Sequence, residues 1–187
     1  MGQSVSTYRD SRSYLKAAER GEADKVASSL HTTSRQAKLH LLQARKRSYE
    51  RDTALHLAAK HGYLHVLRMI LEETRSWSLT PDFSSWALMN NMGNSIDEVI
   101  ESLVNSRNYK GQTPLMYAAS KGHSTAVSFL LENGADPWAA DRLGCRTALH
   151  YAASSGHADV MKLLLDHASS DAGTNSRPEF PNLLPTR

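Results

Sequence analysis

Between Thr113 and Asp136 the apolar positions fall into two short groups at helical spacing. Leu115, Ala118 and Ala119 share one face. Val127, Leu130 and Leu131 share the next. Thr113 suits a helix N-cap through its hydroxyl, and Pro114 suits the first helical position, where no N–H is needed. Gly122 and Gly134 follow the two groups, where a left-handed residue ends a helix. The pattern predicts a helix, a tight turn and an antiparallel helix. It recurs from Thr53 as Thr-Ala-Leu-His-Leu-Ala-Ala-Lys-His-Gly, and from Thr147 as Thr-Ala-Leu-His-Tyr-Ala-Ala-Ser-Ser-Gly-His.

Thr113 and Thr147 are 34 positions apart. Three copies of a helix pair at this spacing resemble ankyrin repeats, whose period is about 33 residues. The resemblance implies an all-α ankyrin-repeat solenoid of about four helix-turn-helix units. A fourth, degenerate copy stands first, at Tyr14–Val26. Its Ala17, Ala18 and Gly21 match Ala58, Ala59 and Gly62, and Arg12 stands where Thr is expected. A terminal repeat with one face in water tolerates such polar replacements.

The period breaks twice. Ala18 to Ala59 is 41 positions, so a stretch that includes His31–Tyr49 is added, with Leu39, Leu41 and Leu42 available to pack back. Thr53 to Thr113 is 60 positions, which leaves a long insert over about 73–107, between the second and third units. Within it Ser95-Ile96-Asp97-Glu98 reads as a capping box opening a helix to Val104. That helix either replaces the second helix of a divergent repeat or belongs to a dedicated insertion. Trp77, Phe83, Trp86, Met89 and Met92 in the insert suit either an interface or a loop that packs on itself. Leu64, Leu67, Ile70 and Leu71 are expected inward in unit two, and Val160, Leu163, Leu164 and Leu165 in unit four. The array is expected over 12–168, and the Ser-, Asn- and Pro-containing tail 169–187 is expected to be disordered.

Charge and composition add little and exclude more. A net charge of +3 without a long basic run gives no sign of nucleic-acid binding. The single Cys145 excludes an internal disulfide framework and fits a cytoplasmic setting. No apolar run is long enough for a transmembrane helix. No active site, metal site or cofactor is expected. Cys145 and His150 lie close in sequence, but His150 holds the same repeat position as His56, where a hydrogen bond to the neighbouring loop is expected. His61 and His65 are separated by Gly62, which breaks any shared helix face.

The start Met1-Gly2-Gln3-Ser4-Val5-Ser6 fits N-myristoylation of Gly2, with 1–11 as the acylation segment. One such chain binds membrane weakly and needs a second signal. Arg35, Lys38, Arg45, Lys46, Arg47 and Arg51 offer one towards an anionic inner leaflet, or else form a solvated loop and helix face. The Met-Gly start followed by an Ala-Ala-x-x-Gly repeat resembles plant ankyrin–RING ubiquitin ligases, some of which associate with receptor kinases at the plasma membrane. Those ligases carry eight Cys/His zinc ligands, and this chain has one cysteine. That resemblance therefore implies a truncated or divergent relative that binds without ligase activity of its own.

The expected function is a monomeric, non-enzymatic protein-interaction module, anchored at a membrane through Gly2. The alternatives are the substrate-binding part of a ubiquitin ligase, or a soluble cytosolic or nuclear adaptor leaning on Arg45-Lys46-Arg47. The expected partner contacts are Trp138, Tyr109 and Arg142 on the exposed connections, with Trp77 and Trp86 in the insert.

Overall fold

The structure is a computed structural model that describes residues 3–31, 41–46, 50–76 and 95–171. Gly2, Leu39, Trp77, Phe83, Trp86, Met89, Met92 and the tail from 172 onward lie outside the described residues.

The described residues form helices only. They are α1 Gln3–Arg20, α2 Ala23–His31, α3 Ala54–His61, α4 Leu64–Ser76, α5 Ile96–Val104, α6 Pro114–Lys121, α7 Ser124–Glu132, α8 Ala148–Ser154 and α9 Ala158–Asp171. Four antiparallel pairs stack side by side. The first helices α1, α3, α6 and α8 make one row, and α2, α4, α7 and α9 make the other. One core runs between the rows, with Ala18, Leu57, Ala58, Leu67, Leu71, Leu115, Ala119, Val127 and Leu130 buried along its length. The paired alanines let neighbouring first helices approach closely. No helix among the described residues is long and apolar enough to cross a membrane.

The helix ends follow the sequence signals. Thr113 Oγ1 accepts the Met116 N–H at 3.4 Å, and Pro114 follows it. Gly62 and Gly122 end α3 and α6 in the left-handed conformation, with φ of 71° and 74°. These two glycines also make room for the next repeat. A Cβ on Gly122 would lie 2.6 Å from His157 Nδ1, and one on Gly62 would lie 2.7 Å from His123 Nδ1. Each histidine ring lies over the glycine and reaches the helix before it. His123 Nε2 is 3.2 Å from Lys60 O, and His157 Nε2 is 3.2 Å from Ser120 O.

Helix α1 starts at Gln3, within the 1–11 segment. Nothing between Gln3 and Arg20 breaks a helix, so one nucleated over Tyr14–Arg20 propagates back to Gln3. Several expectations about burial and helix ends need correction. In α4 the fully buried residue of the first turn is Val66, while Leu64 is only half-buried. Helix α9 extends to Asp171, beyond the expected end at 168. Its Val160 and Leu164 are buried, but Leu163 is half-buried and Leu165 is 50% exposed. No further repeat packs against α9 among the described residues.

Helix α5 is an additional helix packed against α4. Ser95 Oγ accepts the Glu98 N–H at 3.2 Å, and Val99, Ile100, Leu103 and Val104 join the core. Asn105 at its end holds the following unit: its Nδ2 donates to Gly134 O at 2.7 Å, and its Oδ1 accepts the Asp136 N–H at 2.8 Å. Leu41 and Leu42 are buried against the same core.

Candidate functional site

The segment before each first helix forms a turn, and successive turns pair through their backbones. Tyr109 N–H donates to Glu50 O at 2.8 Å, and Arg142 N–H donates to Lys110 O at 2.9 Å. Each turn is tied by one polar side chain. Asn108 Oδ1 accepts the N–H groups of Lys110 and Gln112 at 3.0 and 2.9 Å. Asp141 Oδ1 accepts those of Gly144 and Arg146 at 2.9 and 3.1 Å. The second turn is one residue longer, and its Cys145 takes φ 52° where Gly111 takes φ 78° in the first. Guanidinium groups brace the row. Arg45 donates to Arg107 O at 2.7 Å, and Arg107 donates to Ala140 O at 2.6 Å. Of the basic cluster read as a membrane signal, Arg45 is therefore engaged within the array, as is Lys46, which pairs with Glu19. Arg51 is exposed, and Arg35, Lys38 and Arg47 lie outside the described residues.

The first helices and the turns meet in a groove. Tyr117 and Tyr151 stand at the same repeat position and point their hydroxyls at the turns. Tyr117 OH donates to Asp52 Oδ1 at 3.2 Å and lies 3.3 Å from Glu50 Oε2. Tyr151 OH donates to Asp141 Oδ2 at 2.6 Å and accepts from Gln112 Nε2 at 2.7 Å. Burial and the two carboxylates push the Tyr117 phenol well above its ordinary range, so it remains a donor. A cleft of about 210 Å³ opens beside these rings, lined by Glu50, Lys60, Lys110, Tyr117, Lys121 and Tyr151 among others. Lys60 Nζ lies 6.0 Å from the centre of the Tyr117 ring, at the outer limit of cation–π attraction. Lys110 Nζ pairs with Glu50 Oε1 at 2.6 Å and holds the Glu50 carboxyl below its usual range.

His56 has the expected role. Its Nδ1 accepts the Thr53 N–H at 3.3 Å and lies 2.7 Å from Thr53 Oγ1, so Nε2 carries the proton to Gln112 O at 2.9 Å. The ring is fully buried, and burial pushes its pKa down to about 4. His150 departs from the expectation. Its Nδ1 accepts the Thr147 N–H at 3.2 Å, but no neighbouring loop follows it among the described residues and its ring is exposed.

Of the predicted contact residues, Tyr109 and Arg142 stand at equivalent places on paired turns, and both are exposed. Tyr109 is 54% exposed and Trp138 is 52% exposed. Trp138 lies on the approach to the second turn, where its N–H donates to Asp136 Oδ1 at 2.8 Å. Trp77, Trp86 and Gly2 lie outside the described residues. The groove itself was missed. Aligning the repeats would have found it, because Tyr117 and Tyr151 share a register and Lys60 and Lys121 fall in the last turns of successive first helices. Among the described residues no three His, Cys, Asp or Glu side chains gather as metal ligands.

Residues 15–141 match a family profile for ankyrin repeats in three copies, and residues 125–165 match a second ankyrin-repeat profile. The chain belongs to the ankyrin-repeat family. Ankyrin repeats form protein–protein interaction modules. Among curated relatives, a probable E3 ubiquitin-protein ligase, XBOS31, of Oryza sativa subsp. japonica is 31% identical over 149 residues, 79% of this chain and 26% of that protein. The E3 ubiquitin-protein ligase XBAT32 of Arabidopsis thaliana is 35% identical over 88 residues, 44% of this chain and 16% of its own length. The chain thus spans a small part of both ligases. Among solved structures, the fold superposes on a chain of the yeast ribosomal protein Rps3 in complex with its chaperone Yar1. The TM-score is 0.67 at 26% identity, covering 92% of this chain and 97% of that one.

Proposed function

We propose that this ankyrin array is a non-enzymatic adaptor that acts as a monomer and holds a protein partner across its groove and turn tips. The observation that carries the reading is the exposure of Tyr109, Trp138 and Arg142 on and next to backbone-paired turns, the first of which also lines an open cleft through Lys110 and Gln112. Large exposed aromatics beside a braced polar frame are the residue types that dominate binding energy at interfaces. Trp138→Ala is expected to weaken partner binding about tenfold or more, as hot-spot truncations do, with helicity by circular dichroism unchanged. Loss of helicity would make Trp138 a structural residue instead.

The array is further proposed to sit at the inner face of a cellular membrane through myristoylated Gly2. The Met-Gly-x-x-x-Ser start supports this. Intact mass of protein from eukaryotic cells should show one added myristoyl group that Gly2→Ala removes. An unmodified or acetylated terminus would remove the membrane part and leave the adaptor.

The similarity to two plant ubiquitin ligases supports a second reading. Here the chain is the partner-binding portion of such a ligase, or competes with one for its partner. A reconstituted ubiquitination assay tests it. Added array should inhibit modification of the ligase's substrate, and no inhibition at saturating array would count against this role.

A further inference from the structure

The groove carries more positive than negative charge. Its lining carboxylate, Glu50, already pairs with Lys110. Asp52 and Asp141 lie buried behind Tyr117 and Tyr151 and accept their hydroxyl protons. Lys60 and Lys121 are left over, and neither makes an ion pair among the described residues. Both line the cleft, beside the Tyr117 and Tyr151 rings and the Gln112 side chain.

From this charge balance we infer that the groove takes an extended acidic segment of a partner protein, with one carboxylate on Lys60 and a second on Lys121. The inference rests on the protein-binding reading given above and names the chemistry of its partner. The two lysines stand in the last turns of neighbouring first helices, and packed helices lie about 8–10 Å apart. Three residues of an extended polyproline II chain cover about 9 Å and bring a side chain back to the same face, so acidic residues three positions apart fit the pair. A compact polyanion fits less well. Glu50 also lines the cleft and would repel a dense cluster of phosphate charge, while an extended segment can space its carboxylates away from it. Tyr117 and Tyr151 already give their hydroxyl protons to Asp52 and Asp141, so their ring faces serve as walls for the segment.

The test is an amide NMR titration of the whole chain with synthetic decapeptides in an alanine–serine background. One peptide carries two glutamates three positions apart, a second carries them adjacent, and a third carries glutamines at the spaced positions. The spaced glutamate peptide should bind saturably, shift amides around Lys60, Tyr117 and Lys121, and weaken as salt is raised. The glutamine peptide should bind about tenfold more weakly, and so should the spaced glutamate peptide to a Lys60→Glu/Lys121→Glu variant whose thermal melt matches the parent. Equal binding of glutamine and glutamate peptides would overturn the inference, as would equal binding by the charge-reversed variant or shifts confined to another face. Phosphatidylserine vesicles that bind through Lys60 and Lys121 while no peptide does would overturn it in favour of a lipid surface. If the partner found through Trp138 still binds the charge-reversed variant at full strength, the protein-binding reading stands and the acidic site falls.

Discussion

A methyl group added at Gly122 meets two obstacles, and a neighbouring repeat separates them. Gly122 and Gly156 share φ 74°, but a Cβ on Gly122 would lie 2.6 Å from the His157 ring, while one on Gly156 meets nothing within 4 Å. Gly156→Ala is therefore expected to cost about 1 kcal/mol from the backbone alone. Gly122→Ala should cost about 2–4 kcal/mol, because the ring must move as well. Urea denaturation of both variants checks the difference, and equal losses would mean that the His157 contact contributes nothing. His56 gives a second residue-scale prediction. Its folded pKa of about 4 lies below the ordinary value of 6.5, so the unfolded chain binds the extra proton first. Stability is full above about pH 6.5 and falls as pH drops towards 4, by up to about 1.4 kcal/mol per unit. His61 shifts in the same direction through burial and adds to the slope. Glu19 and Glu50, held low by hydrogen bonds from Lys46 and Lys110, lose their contribution only as pH falls below 4.5. The window from pH 6.5 to 5 thus reports the histidines, and His56→Gln should flatten it. An unchanged slope in that variant would contradict the assigned role. These effects were partly legible in sequence, since Gly and His recur at fixed repeat positions. That one repeat's glycine lies under the next repeat's histidine was not, because the contacts join residues 35 and 61 positions apart.

At the scale of elements, helices were easier to read than turns. Thr openings and following glycines marked α3, α6 and α8 because each signal acts within one helix turn. No capping signal stands at the start of α1 or the end of α9, so propagation alone sets those boundaries and sequence does not give them. Leu165 was expected inward because internal repeats bury that face, and here no repeat covers it among the described residues. The turns hold by side chains that sequence gives no means of pairing. Asp141 ties the longer turn through two N–H groups and the Tyr151 hydroxyl. Asp141→Ala should cost about 1–3 kcal/mol by leaving these donors unpaired. Amide exchange at Gly144 and Arg146 should rise while α6 and α7 keep their protection. Uniform loss of protection would mean that the turn is not a separate unit.

At the scale of the whole molecule, the stack turns a local motif into one continuous surface. Family and architecture were legible from three copies of a helix pair, since each copy repeats the same burial. The groove was less so, because Glu50, Lys60, Lys110 and Tyr117 belong to different repeats and only stacking brings them together. Its charge follows from which lysines the carboxylates already occupy, and that pairing is a property of the assembled array. The most direct test of a partner held in this groove is site-specific photo-crosslinking in cells. A crosslinking residue replaces Ser120 on the groove wall or, as a control, the exposed Arg68 on the outer helix row. The account predicts a discrete protein adduct from Ser120, reduced by Trp138→Ala and by Lys60→Glu/Lys121→Glu, and none from Arg68. Adducts from Arg68 alone, or a Ser120 adduct indifferent to both variants, would contradict it.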